Sequence, residues 1–312
     1  MATDAAPAPF VSVIVPVYNG ADTIGECLLA VANQDYPRDR YEIVVVDNNS
    51  TDETAKAIRQ FPVRYVLETA VQSSYAARNR GVGEARGEVL AFTDADCVPD
   101  RQWLTRGVAA CTQPGVGGVA GAVRPRTATT LAQRYAVQHE ALSQDTAVRG
   151  NAYKPAAYTA NAFYRKEAVE RVGRFDPSVK SGGDAELAWK VQEQLGLSIA
   201  LAPEAFVYHT HRAGVGELLR QRRNYGYGSV VNYAKRRDQM GRRTLRHSYW
   251  DAAAFARKSA RFAGSALLCA ATLGLHRVWA ERAALDGLDV LVFVAKKRGQ
   301  WAAALAHRVW YL

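Results

Sequence analysis

The front of the chain alternates between continuous apolar runs and segments whose apolar residues recur at helical spacing. Four of the runs are rich in β-branched residues, which is typical of buried strands. They are VSVIVPVYN (11–19), YEIVVVD (41–47), VRYVLE (63–68) and GEVLAFTDAD (87–96). Repeated strand–helix units predict an α/β fold with a mostly parallel sheet, helices on both faces, and ligands at the carboxyl ends of the strands.

Two helices between these strands carry expected start signals. GADTIGECLLAVANQ has apolar residues at helical spacing, and Asp22 is the predicted N-cap. In NNSTDETAKAIRQ, Ser50 and Glu53 have the spacing of a capping box. SSYAARNRGVGEA predicts the next helix.

The middle and end of the chain are less regular. KEAVERVGRF and AELAWKVQEQLG predict amphipathic helices, the second closed by Gly196, and LSIALAPEAFVYHTH predicts a strand. Beyond residue 212 the pattern is helical and arginine-rich. We therefore expect a disordered N-terminus over 1–10, a catalytic domain over 11–211 and a helical, basic region over 212–312.

Charge divides the 312-residue chain at the same place. Residues 1–211 carry 21 Lys/Arg and 24 Asp/Glu, whereas residues 212–312 carry 19 and 6, a balance of −3 against +13. The basic region favours an anionic partner such as membrane lipid, nucleic acid or a phosphorylated substrate.

The four cysteines lie far apart without metal-site spacing, which argues against a disulfide scaffold and fits a reducing compartment. The N-terminus, MATDAAPAPF, lacks the basic start and apolar stretch of a signal peptide. A cytoplasmic location is expected.

Two acids follow the fourth strand run, in FTDADC (92–97). Alternate residues of an extended strand share a face, so Asp94 and Asp96 can point the same way. Converging carboxylates repel unless a cation or hydrogen-bond donors lie between them, and oxygen ligands suit Mg²⁺ or Mn²⁺. The alternative is an acidic loop in which Asp100 caps the following helix.

Other polar residues follow the first two strands. Pro16, Tyr18 and Asn19 end the first, and Asp47 ends the second. An aromatic ring and a carboxylate fit a pocket for a base and ribose, although the segment DNNS is also typical of a turn. Arg78 in AARNRG adds a cation that can meet a nucleotide, or is an ordinary solvated helix arginine.

The segments VSVIVPVYNGADTIGECLLAVANQDYP, EIVVVDNNSTDET, AARNRG and VLAFTDADCVPD occur in the order and spacing of family 2 glycosyltransferases with the GT-A fold. The chain resembles this family over residues 11 to about 211. The resemblance implies that Tyr18 and Asp47 hold the nucleotide base and that Arg78 lies near the nucleotide. It implies that Asp94 reaches the ribose and that Asp96 binds a divalent metal at the diphosphate.

Later segments resemble the family as well. SGGDAELAWK is similar to the segment whose aspartate acts as general base, here Asp184, with Gly183 in place of the commoner glutamate and Glu186 expected near donor and acceptor. YTANAFYRK resembles the loop that shapes the donor-sugar pocket, which makes Asn161 a candidate contact. In VYHTH, His209 and His211 share a face if the strand continues. They are candidates for further metal ligands, or for groups that hydrogen-bond to the ligands. Cys97 is expected to pack.

The basic region departs from processive members of the family, which have a Q-x-x-R-W segment where this chain has QRRNY (221–225). This difference favours transfer of a single sugar. The apolar run 262–275 is too short to span a membrane but, with flanking cations, fits helices lying on an anionic membrane surface. A helical subdomain packed on the enzyme fits equally, and no motif supports nucleic-acid binding.

The resemblance thus implies an inverting, Mn²⁺- or Mg²⁺-dependent transferase that moves a sugar from a nucleotide-sugar, with UDP-sugars favoured. The expected acceptor is a hydroxyl on a lipid-linked or membrane-proximal glycan, and the expected location is the inner face of the cell membrane. The competing hypothesis is a scaffold that binds nucleotide-sugars without turnover. A dehydrogenase is disfavoured because no G-x-G-x-x-G follows the first strand.

Overall fold

The structure is a computed structural model that describes residues 8–150, 153–241, 243–272 and 277–311. The expected disordered segment falls mainly on residues 1–7, and the apolar run 262–275 ends in residues 273–275. Both stretches lie outside the described residues.

One mixed sheet holds the eight strands found in the described part of the chain. The strands are β1 (Val11–Val17), β2 (Tyr41–Asp47), β3 (Arg64–Leu67), β4 (Val89–Thr93), β5 (Cys97–Pro99), β6 (Val116–Pro125), β7 (Asn161–Arg165) and β8 (Ser198–His209). Their order is β3-β2-β1-β4-β7-β6-β8-β5. The four predicted strand runs are β1 to β4, and these pair in parallel as predicted.

The other half of the sheet mixes directions. β7 runs antiparallel to both β4 and β6, and β5 runs antiparallel to β8. β6 and β8 are parallel to each other. The predicted α/β class with a largely parallel sheet is confirmed, and the antiparallel strands are an addition to it.

The helices found in the described residues are as follows, in chain order: α1 (Ile24–Ala32), α2 (Thr54–Ile58), α3 (Ser74–Glu84), α4 (Trp103–Cys111), α5 (Leu131–Gln138), α6 (Gln144–Arg149), α7 (Lys166–Arg171), α8 (Gly183–Leu195), α9 (Val215–Lys235), α10 (Arg237–Met240), α11 (Leu245–Ala271) and α12 (Arg277–Ala306).

Helices cover both faces of the parallel strands, which is why β1 and β2 are buried along their whole length. Leu28 and Val31 of α1 pack in the same cluster as Val45 of β2. On the opposite face, Ala77 of α3 packs with Val44 and Val46, the residues on either side of Val45 in β2. Alternate residues of one strand thus serve two cores, as expected for a doubly covered sheet.

The predicted N-caps of α1 and α2 were wrong although the helices themselves form, whereas Gly196 closes α8 as predicted. α1 begins at Ile24 with Thr23 as N-cap, so Asp22 does not cap it. α2 has Glu53 at its N-cap position without a side-chain cap bond. Ser50 accepts a hydrogen bond from the backbone N–H of Asn19 at 2.9 Å and so joins two loops rather than starting a helix.

The chain divides into two compact units. The first is residues 1–126 with 142–210 and contains the sheet, and the second is residues 127–141 with 211–312. In the second unit α5 packs on α9 and α12 through Ala132, Tyr135, Leu218 and Leu288. Among the described residues, no helix combines the length and apolar character needed to cross a membrane.

Candidate active site

The ends of β1 and β2 form one edge of the site. Val17 and Asp47 are partners in the parallel register, so the segments that follow both strands begin at the same level. Asp47 is buried, and its two oxygens accept hydrogen bonds from the Ser50 N–H at 2.8 Å and the Tyr65 hydroxyl at 2.9 Å. Tyr65, on β3, was missed by sequence reasoning because its own strand gives no sign of which carboxylate it meets.

The residues after β1 have different exposures. Tyr18 is 52% exposed, so its ring is open to a stacking partner. Asn19 adopts a positive φ of 49°, and its side-chain oxygen accepts from the Thr51 N–H at 2.8 Å. Pro16 is buried inside β1 opposite Val46, so it shapes the strand instead of lying at the exposed edge where it was predicted.

A buried ion pair joins α3 to the segment after β4. The Arg78 guanidinium, 5% exposed, donates to the Asp94 carboxylate at 2.6 Å and lies 5.6 Å from the centre of the Tyr75 ring. Arg78 Nε is buried with no hydrogen-bond partner in the described part of the protein. Arg78 is therefore a fixed part of the site rather than a solvated helix arginine.

Asp96, Cys97 and His209 form a group of ligating side chains. Cys97 of β5 and His209 of β8 are partners in the antiparallel register, which brings the end of β8 to the acids. The distance from Asp96 to His209 Nε2 is 3.5 Å, that from Asp96 to Cys97 Sγ is 3.9 Å, and all three ligand atoms lie within 4.8 Å of one another.

This donor set fits a divalent cation held by oxygen and nitrogen. Burial raises the pKa of Cys97, and the charges of Asp96 and Asp94 raise it further, so the thiol keeps its proton. The carboxylate of Asp96 and the imidazole of His209 are then the two side chains of this group that could hold such an ion. Cys97 was predicted to pack beside the acids, and it is completely buried there.

The alternation of residues along β8 does not determine where the His211 side chain points. β8 ends at His209, so the alternation that was to put both histidines on one face does not reach residue 211. His211 belongs to the second unit, where its carbonyl accepts a hydrogen bond from Gln133 at 3.0 Å. Its role as a metal ligand stays a prediction.

Asp184 lies in the first turn of α8, after Gly182 with φ 85°. Its carboxylate accepts a hydrogen bond from the Thr159 hydroxyl at 3.0 Å. Burial raises the pKa of Asp184 above its ordinary value; Asp94 adds to the rise, while Arg78 and Thr159 oppose it. The charges of both members of the Arg78–Asp94 ion pair thus affect the pKa of Asp184.

Glu186 and Asn161 were predicted to lie near donor and acceptor. Glu186 is buried in the first turn of α8. Asn161 is completely buried: its amide oxygen accepts from Trp103, and its amide protons go to the carbonyls of Ala122 and Ala205. The structure gives Asn161 a role in joining strands in place of the expected donor contact.

Comparison with known proteins shows the family of the chain. Residues 12–173 match the model for Glycosyl transferase family 2. The chain belongs to this family. The predicted family, the GT-A fold and the glycosyltransferase class of enzyme are thereby confirmed.

Three relatives show the range of this similarity. The glycosyltransferase AglE of Haloferax volcanii is 39% identical over 229 residues, which cover 71% of this chain and 73% of AglE. A dolichyl N-acetyl-alpha-D-glucosaminyl phosphate 3-beta-D-2,3-diacetamido-2,3-dideoxy-beta-D-glucuronosyltransferase of Methanococcus voltae is 28% identical over 36% of this chain and 39% of that protein. The structure of the mannosyltransferase PcManGT from Pyrobaculum calidifontis, in complex with GDP-Man and Mn²⁺, matches with a TM-score of 0.65 and 25% identity. That match covers 95% of this chain and 88% of PcManGT.

Proposed function

We propose that this glycosyltransferase moves one sugar from a nucleoside diphosphate sugar to an acceptor hydroxyl, with a divalent cation and with inversion at the anomeric carbon. The observation that carries the proposal is the interaction of Asp184, from α8, with the ion pair of Arg78 and Asp94, beside the group of Asp96 and His209. Residues from four separate segments, namely α3, the segment after β4, β8 and α8, would thus supply acids, a cation and an imidazole to one site.

Asp96 and His209 would hold the cation, Mn²⁺ or Mg²⁺. When bound, such an ion neutralises the negative charge that grows on a diphosphate leaving group. That PcManGT was solved with GDP-Man and Mn²⁺ supports this choice. Arg78, with a buried Nε available as a donor, adds a fixed positive charge on the same side.

Asp184 is proposed as the general base. A raised pKa makes its carboxylate a better proton acceptor than an exposed aspartate, and general-base help of this kind is typically worth about 10²–10⁴-fold in rate. Removal of the acceptor proton lets the hydroxyl oxygen attack the anomeric carbon as the bond to the diphosphate breaks. One displacement inverts that carbon, and no covalent enzyme intermediate is formed.

The nucleoside is proposed to lie between the segments that follow β1 and β2. Tyr18 would stack on the base, and Asp47, held by Tyr65, would accept from the base or a hydroxyl. Asp94 would reach the ribose. UDP-sugars are favoured by the family resemblance, and GDP-sugars are the alternative that PcManGT suggests.

The proposed acceptor is a lipid-linked or membrane-proximal glycan, reached from an anionic membrane surface on the cytoplasmic side. The relative from Methanococcus voltae is named for a dolichyl phosphate-linked sugar, which supports this class. QRRNY (221–225), without the Q-x-x-R-W pattern of processive relatives, supports a single transfer.

The test is a donor panel. UDP-, GDP- and dTDP-sugars would each be incubated with the full chain and Mn²⁺, and release of nucleoside diphosphate would be followed with lipid-linked acceptors present. Turnover that is lost separately in Asp96→Asn and in Asp184→Asn supports the proposal. Metal-dependent donor binding without turnover under any condition would identify the chain as a nucleotide-sugar-binding scaffold instead.

A further inference from the structure

α11 is only partly covered by the rest of the protein: several of its residues are half-buried, and most are exposed. Of its 27 residues, all of which the structure describes, only Ser265 is buried. A helix of that length in a protein surrounded by water ordinarily buries an apolar stripe against its neighbours. α11 contains enough apolar residues for such a stripe, yet large apolar side chains of this helix are exposed to solvent.

The exposed side of α11 is apolar. Leu245, Tyr249 and Leu267 are 74%, 67% and 71% exposed. Between and beyond them, at helical spacing of three or four residues, come further exposed positions without charge: Ala252, Ala256, Ala260, Ala263 and Ala270. These residues form one face along the whole helix, because positions three and four apart lie above one another.

The second half of α12 repeats the pattern. Leu291, Val294, Trp301 and Leu305 are 51%, 37%, 50% and 81% exposed, at spacings of three or four residues. The exposed Arg298 lies within the same series. We call these two stripes, one on α11 and one on α12, the exposed apolar faces.

Three of the five charged residues of α11 pair with residues of α12. Lys258 pairs with the buried Asp289 of α12 at 2.6 Å, and Arg261 pairs with Asp286 at 2.7 Å. Tyr135 of α5 donates to the same Asp289 at 2.8 Å. Nearer the start of the helix, Asp251 pairs with Lys297 of α12. α11 therefore directs ion pairs at its helical neighbours and apolar residues outward, the reverse of a helix in water.

The charge around the exposed apolar faces identifies what covers them. Arg246 and Arg257 are exposed on α11, each one position beyond a residue of its apolar stripe. Residues 212–312 carry 19 Lys/Arg against 6 Asp/Glu, so a second copy would bring the same positive charge to the contact. An anionic lipid surface offers acyl chains to the stripe and opposite charge to the arginines.

We propose that the exposed apolar faces of α11 and α12 dock the protein on a bilayer that contains anionic phospholipids. Both helices lie flat in the interface, with Leu245, Tyr249 and Leu267 toward the acyl chains and the arginines at the phosphates. The aromatic rings of Tyr249 and Trp301 suit this depth, because such side chains prefer the headgroup region. The inference deepens the membrane partner of the proposed function and rests on the same acceptor class.

The test measures binding without turnover, so its failure is distinguishable from failure of the glycosyltransfer proposal. Full-length protein would be sedimented with phosphatidylcholine vesicles, with and without phosphatidylglycerol. We expect binding to the anionic vesicles that weakens with salt. The double variant Leu245→Glu with Leu267→Glu should lose at least about tenfold in vesicle affinity, since burial of one leucine side chain alone is worth that factor.

A matched control is Leu29→Glu, the same change at a leucine that is 55% exposed on α1 of the other unit. It should leave vesicle binding unchanged. Because all three leucines are exposed, the variants should keep the helical circular dichroism of the wild type. Quenching of tryptophan fluorescence by brominated lipid should fall when Trp301 is changed to Phe.

Several outcomes would overturn the inference. They are absence of vesicle binding, equal binding to vesicles without phosphatidylglycerol, and binding that the double variant keeps. If ultracentrifugation without lipid shows an oligomer that the same double variant dissociates, the exposed apolar faces are a contact between copies of this chain and the proposal is wrong.

Discussion

The backbone N–H of Gly183 donates to the hydroxyl of Tyr75 at 3.0 Å, and a Cβ at position 183 would come within 2.8 Å of the Tyr75 ring. This contact accounts for the departure of the chain from the Glu–Asp pair that is commoner in the family. Tyr75 also stacks on Phe175 with 5.7 Å between ring centres, so the ring has little freedom to move away. Glycine at 183 lets the first turn of α8, and with it Asp184, lie against this ring.

Gly183→Ala is therefore expected to displace the start of α8. Overpacking of a buried contact typically costs about 1–3 kcal/mol, and a small shift of Asp184 lowers kcat more than it changes donor affinity. Steady-state kinetics and the urea midpoint would be measured for the same preparation.

The matched control is Gly25→Ala in α1, where an added Cβ meets nothing within 4 Å. Alanine is the better helix former, so this variant should be neutral or more stable by roughly 0.5–1 kcal/mol. If both variants behave alike, the contact with Tyr75 does not set the position of Asp184.

Asp184→Asn is expected to abolish turnover and to stabilise the fold at neutral pH. Because the folded pKa of Asp184 is raised above its ordinary value of 3.8, the folded state keeps this proton at a higher pH than the unfolded chain does. Its contribution to stability therefore falls as pH rises through the folded pKa, and an asparagine lacks this loss. The gain in Tm over the wild type should grow as the pH rises above 3.8, the ordinary pKa of this carboxyl. A variant that is less stable at neutral pH would contradict the raised pKa.

Thr159→Val should move the acid limb of the pH–rate profile to higher pH. The Thr159 hydroxyl donates to the carboxylate of Asp184 and lowers its pKa, so its removal raises that pKa further. Thr105→Val is the control, because Thr105 makes the same kind of bond to Asp35 on the exposed surface. A profile unmoved by Thr159→Val, or moved equally by the control, would argue against Asp184 as the base.

Asp94→Asn is expected to destabilise the protein more than the loss of a surface ion pair with the same distance between its atoms. The pair Arg78–Asp94 spans 2.6 Å with Arg78 buried, whereas Arg126–Glu26 spans the same 2.6 Å with both side chains about half exposed. Loss of a partner from a buried charge costs several kcal/mol, reduced here to about 1–3 because Asp94 is partly solvated. Glu26→Gln should cost less than about 1 kcal/mol. Urea unfolding of both variants would decide, and equal losses would show that the burial of Arg78 is unimportant.

The parallel half of the sheet could be predicted from the sequence because β1, β2 and β4 are continuous apolar runs, which can be recognised without knowledge of distant contacts. The sequence did not indicate that β7 pairs with β4 in the antiparallel direction, since the segment NAFYR suits a parallel or an antiparallel strand equally well. Residues 127–141 were assigned with the sheet, yet they group with the helical unit through Ala132 and Tyr135. Such long-range pairings depend on contacts that no local pattern records.

The residues of the candidate site also divide into those that the sequence could indicate and those that it could not. Asp94 and Asp96 were singled out by their type and spacing at a strand end, whereas Asp184 was singled out by the resemblance of its segment to the family. Tyr65 and Thr159, which hold the carboxylates of Asp47 and Asp184, were missed since a hydroxyl in an apolar segment has no signature. Asn161 was a candidate because its segment resembles the donor-sugar loop of the family, and a resemblance does not reveal that Trp103, Ala122 and Ala205 occupy its amide group.

Asp96→Asn should remove the response to metal while leaving the fold intact. Asp96 is partly exposed, so its amide analogue loses little packing, but the neutral side chain is a weak ligand for Mn²⁺. In the wild type, Mn²⁺ with a nucleotide-sugar should raise the Tm, because ligands that bind only the folded state stabilise it. The rise should disappear in Asp96→Asn and on addition of a chelator. Asp100→Asn, four residues further on and paired with Arg106, should keep it. A rise that survives in Asp96→Asn and is lost in Asp100→Asn would place the cation away from His209.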